Sequence, residues 1–413
     1  MNAVLNSNSS SAIISAVDSV DVKFNPFVYQ YSKKNQLNSG LVPAHVRSTV
    51  RSNPQSTMAF NSATDFKVIR SSMLENAVLR LEIALSGSST TNDCDVAGSF
   101  FNEIVESAQL ISSGRVIQET KAFGRMCKIS SRPRDVRENL ESALQLTNGD
   151  KTLAGGSSVV AYIPLMFSCF ESPELMYNTS FTESLRIRIR LKSVEDLMKS
   201  GETNNLSLTQ AGCYIQQVHR TLPSALEQSQ IAENMADTDA LVRVQYGLVE
   251  ESTTTNLSSG TELFHIVNSN RSFTKIYFAV DDIADNEDTG KHLELETIKI
   301  ECNGGLLMEL DADMLGFLLV PAMDRANEPY GYGGYSDTSF DATRNIYCYD
   351  LGFTQDLGHS TNLNSLREIN QFKITATLPS AQSGNHRLRV CLVSPELESI
   401  ASASGKITTS LSS

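Results

Sequence analysis

The stretch "VVAYIPLMFSCFESPELMYNTSFTESLRIRIRL", residues 159–191, begins as an apolar run broken by Pro164 and Pro173. It closes on a strict alternation of Leu185, Ile187, Ile189 and Leu191 with Arg186, Arg188 and Arg190. Successive side chains of a β-strand point to opposite faces, so a period of two builds a strand with one apolar face and one guanidinium face. Three arginines on one face repel unless carboxylates answer them, and the planar guanidinium fork suits such pairing better than lysine does.

Similar short runs recur on both sides of this stretch, at 66–70, 77–85, 213–220, 241–249, 273–280, 293–302, 345–353, 372–378 and 388–393. Clusters of Gly, Ser, Asn, Asp and Pro separate them, the pattern of an antiparallel sandwich or barrel and not of alternating strands and helices. Helices are expected at three places. Phe101, Ile104, Val105, Ala108 and Ile111 form a stripe at helical spacing that ends at Gly114, and a second stripe (Val136, Leu140, Ala143, Leu144) follows Pro133. The third is the apolar run 306–319, ending near Pro321. No tandem repeat of the solenoid or propeller type is visible, yet the two halves rhyme: each passes from strands through an inserted helix to a proline-marked apolar stretch, "YIPLMF" and "LLVPAM".

The chain has 413 residues, beyond the roughly 250–300 at which a single core stops growing, so two domains are expected. The polar stretch 228–240 divides the strands into two comparable sets. The formal net charge of -13 argues against a main surface for nucleic acid. Its sign is uneven. In residues 1–60, Lys23, Lys33, Lys34, Arg47 and Arg51 outnumber Asp18 and Asp21, and the Ser- and Asn-rich composition predicts an extended arm that a partner orders. No apolar segment has the length of a membrane span, and the first residues lack a leader pattern, so a soluble, unsecreted chain is expected. The seven cysteines (Cys94, Cys127, Cys169, Cys213, Cys302, Cys348, Cys391) show no CxxC and read as free thiols in a reducing compartment.

Enzyme signatures are wanting. The six histidines (His45, His219, His265, His292, His359, His386) form no HxH or HxxxH pair, and neither GxSxG nor GxxxxGK[ST] occurs. The acidic stretch 281–291, with Asp281, Asp282, Asp285 and Asp288, lacks the spacing of a calcium loop and reads as a solvated tip between strands. No catalytic residue, cofactor or metal is expected. "YGYGGYSD", residues 330–337, reads as an exposed loop in which Tyr330, Tyr332 and Tyr335 offer amphipathic contact area.

Residues 162–191 resemble a segment of the double jelly-roll major capsid proteins of large eukaryotic DNA viruses and smaller tailless icosahedral viruses. That family carries a run of the type "IPLxFxxxxxPxLxxPLxxLxxxxVxIxI"; here "MYN" replaces its second Leu-Pro element. "FFNEIVESAQLISSGRVIQET" (100–120) resembles the family segment before a helical insertion. "IYCYDLGFTQDLGHSTNLNSLREINQFKITATL" (346–378) resembles its second-half motif, with Asn364, Ser365, Leu366, Arg367, Ile369 and Asn370 at the matching positions. "HRLRVCLVSPELESIASASGK" (386–406) is similar to its closing strand and tail. The elements occur in family order over residues 66–405.

The resemblance implies an all-β fold of two consecutive jelly-roll β-sandwiches with a few inserted helices: an arm at 1–60, jelly rolls at 61–232 and 233–405, and a flexible tail at 406–413. It implies a non-enzymatic viral major capsid protein whose homotrimers, pseudo-hexagonal in outline, tile an icosahedral shell assembled in the host cell. Expected partners are further copies of the chain, minor capsid or penton proteins, and an internal membrane beneath the arm, with no sequence-specific nucleic acid. Arg186, Arg188, Arg190 and Arg367 are the candidate subunit-interface residues. The alternative is a jelly-roll attachment protein that binds carbohydrate or a receptor through the tyrosine loop.

Overall fold

The computed structural model describes residues 44–68, 73–86, 94–112, 114–132, 134–147, 150–154, 156, 158–167, 185–198, 205–221, 242–269, 272–273, 275–284, 287–311, 345–350, 364–365, 371–401 and 406–411. The first unit runs β1 (Ala44–Ser52), β2 (Ala63–Lys67), β3 (Met73–Ser86), β4 (Cys94–Ala97), α1 (Phe100–Glu103), β5 (Val105–Ser112), β6 (Arg115–Lys121), α2 (Ala122–Ser130), α3 (Arg134–Ala143), β7 (Asp150–Leu153), β8 (Ser158–Pro164), β9 (Arg186–Leu191) and β10 (Asn205–Thr221). Among the described residues, β1-β10-β3-β8 form one four-stranded sheet and β2-β9-β5-β6 a second, with every neighbour antiparallel. The chain thus alternates between two facing sheets, the topology of a jelly roll.

The alternation in β9 is what joins these sheets. Leu185, Ile187, Ile189 and Leu191 are all 0% exposed and point into the first core, while the arginines between them face solvent. Fully burying side chains of this size is worth roughly 2 kcal/mol each, so the period of two decides which face the strand turns inward.

The second unit runs β11 (Val242–Ile266), β12 (Ser272–Phe273), β13 (Lys275–Ala284), β14 (Glu287–Leu293), β15 (Thr297–Cys302), β16 (Gly305–Asp311), β17 (Tyr347–Asp350), β18 (Asn364–Ser365), β19 (Phe372–Ala401) and β20 (Lys406–Leu411). Two strands here are long enough to serve both sheets. The first part of β11 pairs with the second part of β19, which continues to β13 and then β17; the second part of β11 pairs with the first part of β19, which continues to β15 and β16. The register shifts between Ser258 and Glu262, and the positive φ of Gly384, mark the bend where both strands cross over. With each long strand counted as two, the sheet orders repeat those of the first unit.

Four expectations change. The stripe at 101–111 is one helical turn followed by a strand: a bulge between Val105 and Ser107 shifts the parity, so inward residues Val105 and Ala108 stand three apart and imitate helical spacing. The run from 306 begins as strand β16, because Asn303 (φ 50°) and Gly304 (φ 80°) form a two-residue turn that folds it back on β15. Within the arm expected at 1–60, β1 pairs with β10 inside the first unit, and residues 1–43 lie outside the described residues. Lys406–Leu411, expected as a flexible tail, pairs with the end of β19. The helix expected after Pro133 is α3, and α2 was not anticipated. The boundary at 232/233 lies outside the described residues.

Candidate functional site

The described residues build an extended contact between the two units. Strand β13 is buried without interruption from Ile276 to Asp281. Its even and odd positions go to different cores. Ile276, Phe278 and Val280 join Leu388, Val390 and Leu392 of β19 inside the second sandwich. Tyr277 and Ala279, with Cys391 of β19 and Cys348 of β17, belong to the cluster of the first. The sheet is therefore covered on both faces, by its own partner sheet and by the first unit.

The covering element is α2. Arg125 is 1% exposed and anchors the helix to α1, donating from Nε to Asn102 Oδ1 at 3.0 Å and from NH2 to the carbonyls of Asn102 and Val105 at 2.7 and 2.6 Å. Burial lowers its pKa to about 10, so it stays charged and its carbonyl partners hold it. On the other side, Gly124 lets the helix approach β11 closely: a Cβ there would lie 2.8 Å from Leu248 Cδ1, and the Gly124 amide donates to Glu250 Oε1 at 2.8 Å. Glycine in a helix costs roughly 0.5–1 kcal/mol relative to alanine, and this contact is the reason it stands there.

Beside the helix sits a buried ionic network that spans both units. Arg389 donates from Nε to Asp281 Oδ2 at 2.6 Å, reaches Glu103 Oε1 at 3.4 Å, and lies over the Phe123 ring, 5.3 Å from its centre. Asp281 is also held by Arg387 at 2.8 Å and by His292 Nδ1 at 2.8 Å, and Glu103 also pairs with Lys192. Burial alone would raise both carboxyl pKa values. For Glu103, Lys192 and Arg389 override it and bring the value down to about 2; for Asp281, Arg389, His292 and Arg387 drive it far below the usual range. Glu250 is different: burial dominates and its pKa stays raised despite the Gly124 amide. Asp281, expected at a solvated tip, is instead 1% exposed at the centre of this network, because Arg387 and Arg389 come from a strand about 100 residues away in sequence.

Two of the three arginines of β9 find counter-charges within the same sheet. Arg188 binds Asp65 of β2 through two hydrogen bonds, at 2.8 and 3.2 Å, and Arg190 pairs with Glu106 of β5 at 2.7 Å. Arg186 stands opposite Lys67, and all three arginines are exposed. Arg367, Tyr330, Tyr332 and Tyr335 lie outside the described residues. Among the described residues, no group of three His, Cys, Asp or Glu side chains is placed to hold a metal ion. Cys127, Cys213, Cys348 and Cys391 are buried free thiols, and Cys302 is half-buried and free.

The outer face of the β1-β10-β3-β8 sheet corresponds, by strand order, to the face of the second unit that α2 covers. It carries Arg80, which hydrogen-bonds Tyr162 and pairs with Glu82 at 3.2 Å, and Arg51 stacked 6.0 Å from the centre of the Tyr214 ring. Tyr162 is 48% exposed. Tyrosine and arginine on a half-buried face are the composition of protein interfaces.

Compared by sequence, the chain matches no protein-family model and no curated protein. Compared by fold, it is similar to PBCV-1 VP54, from a crystal structure fitted into a reconstruction of the virophage Sputnik: TM-score 0.63, 12% identity, 90% of this chain and 98% of that one. It is similar to the Faustovirus major capsid protein at TM-score 0.61 and 8% identity, covering 94% of this chain and 98% of that one. The mavirus major capsid protein matches at TM-score 0.54 and 12% identity, over 88% of this chain and 90% of that one. The shared feature is the fold: two consecutive jelly rolls in one chain.

Proposed function

We propose that this chain is a viral major capsid protein that assembles as a homotrimer, pseudo-hexagonal in outline, and that such trimers tile an icosahedral shell. The observation that carries the reading is the seating of one jelly roll on the flank of the other by a face whose counterpart in the first roll carries Arg51, Arg80, Tyr214 and a half-exposed Tyr162. The contact inside the chain is head-to-tail. Repeated from chain to chain it generates a ring if the rotation closes, and three copies supply six rolls. The likeness to capsid proteins over about nine-tenths of the chain supports the same role.

In this reading the molecule resides in the virion, and its activity is association. The rolls divide near 232/233, and the chain before β1 lies beneath the shell, against a neighbouring trimer, a minor or penton protein, or an internal membrane. The arginine face of β9, with Arg367, belongs to subunit contacts, where Arg186 has a charge to offer. The tyrosines at 330, 332 and 335 belong to an exposed loop. Light scattering on the chromatographed protein should give a particle of three chains. A persistent monomer at micromolar concentration would overturn the reading.

A further inference from the structure

The two sandwiches meet over three thiols. Tyr277 is the register partner of both Cys348 and Cys391, so the three form one row across β17, β13 and β19. Residues in one row project from the same face, here toward α2. Cys127 on α2 meets them: Cys127, Cys348 and Cys391 are each 0% exposed and belong to one apolar cluster. Helix α2 is seated at Cys391: one turn before Cys127, Phe123 lies against Arg389 of β19, and the Gly124 amide donates to Glu250, the register partner of Cys391 on β11.

The sheet excludes one of the pairings. Cys348 and Cys391 sit two strands apart, about 10 Å at normal strand spacing, beyond the roughly 7 Å between Cα atoms that a disulfide tolerates. A bond can therefore form only from helix to sheet, and the seating of α2 against Arg389 and Glu250, the neighbours of Cys391, selects that partner. We propose that Cys127 and Cys391 form an oxidisable pair that closes a disulfide between the two jelly rolls, with a small-molecule disulfide as oxidant.

In the exchange, the Cys127 thiolate attacks one sulfur of the small disulfide and releases one small thiolate. The Cys391 thiolate then displaces the second from the mixed disulfide. One protein S–S bond and two small thiols replace one small S–S bond and two protein thiols; the two electrons pass to the former small disulfide and the two protons to the departing thiolates. Burial pushes the Cys127 thiol up and keeps it protonated, so the closed interface is unreactive. Reaction then proceeds through transient separation of α2 from the sheet and traps the closed state on return. The timing rests on the capsid reading, in which the shell is built in a reducing cell and released into oxidising surroundings. The cross-link itself does not.

The test uses the purified full-length protein, incubated with oxidised glutathione below its unfolding temperature, alkylated in denaturant, digested and analysed by mass spectrometry. The expected product is a peptide pair joining Cys127 to Cys391, two hydrogens lighter than its reduced parts, with the apparent Tm raised by about 5 °C. Cys391→Ser should lose both signals, and Cys348→Ser should keep both. Full alkylation of all seven thiols after prolonged oxidation, or a bridge that uses Cys348 or joins two molecules, overturns the proposal. The wild-type digest decides between these outcomes even where a variant does not fold, and it does so whether or not the protein trimerises.

Discussion

Replacing Arg389 by methionine tests whether the ionic network holds the two jelly rolls together. The substitution keeps the stem and removes a guanidinium shared by Asp281 at 2.6 Å, Glu103 at 3.4 Å and the Phe123 ring at 5.3 Å. Breaking a buried pair by deleting one partner costs roughly 3–5 kcal/mol, because a charge is stranded out of water. Neither carboxylate is wholly stranded here: Asp281 keeps Arg387 and His292, and Glu103 keeps Lys192. The fall of Glu103 from 4.5 to about 2 amounts to about 3 kcal/mol in favour of its charged form. Lys192 leads the effects that lower the Glu103 pKa, so Arg389 accounts for the smaller part, about 1 kcal/mol. For Asp281, Arg389 leads the favourable partners, and a further loss of about 2 kcal/mol is expected there. The variant should therefore lose about 3 kcal/mol at pH 7, read from urea unfolding followed by tyrosine fluorescence, since the chain has no tryptophan. Arg387→Met, whose side chain is 23% exposed, should lose about 1 kcal/mol. A loss below about 1 kcal/mol for Arg389→Met, or equal losses for the two variants, would refute the reasoning.

Acidification acts on the same network. The Glu103 and Asp281 pKa values are depressed in the fold, so the stability they contribute is present above the ordinary carboxylate range and is lost as pH falls, for Glu103 from 4.5 toward about 2. Thermal unfolding across that window should steepen in the parent and flatten in Arg389→Met. Glu250 has the opposite sign: its raised pKa makes the charged form unfavourable, so Glu250→Gln, which still accepts from the Gly124 amide, should gain roughly 1 kcal/mol at pH 7 and nothing once pH falls below the ordinary carboxylate range. Gly124→Val should cost about 1–3 kcal/mol in urea unfolding by pushing α2 off Leu248. Arg188→Ala removes an exposed pair with Asp65 and should cost under about 1 kcal/mol in the isolated subunit; a larger effect on trimer mass than on subunit stability would place this face in the subunit contact.

The strands of the first core could be read directly from the chain. Leu185, Ile187, Ile189 and Leu191 are inward because a strand alternates, and nothing in the rest of the molecule has to be known to say so. Length pointed to two domains and the turn clusters between short apolar runs to an antiparallel sandwich or barrel; two consecutive sandwiches came from the resemblance. Misreadings arose where local geometry disguised the period: the bulge after Val105 gave a strand the spacing of a helix, and the Asn303-Gly304 turn outweighed the apolar look of Leu306 and Leu307.

The surface between the sandwiches was not legible, for a different reason. Helix α2 has almost every residue buried, so it shows no polar stripe, and periodicity finds only elements that keep one side in water. Asp281 reads as part of an acidic loop until β19 brings Arg387 and Arg389 alongside it, and Cys127 is one more scattered cysteine until Cys391 faces it. Alternation along a strand determines which residues turn inward. What they meet there depends on pairings between residues more than a hundred positions apart, and only the folded chain decides those.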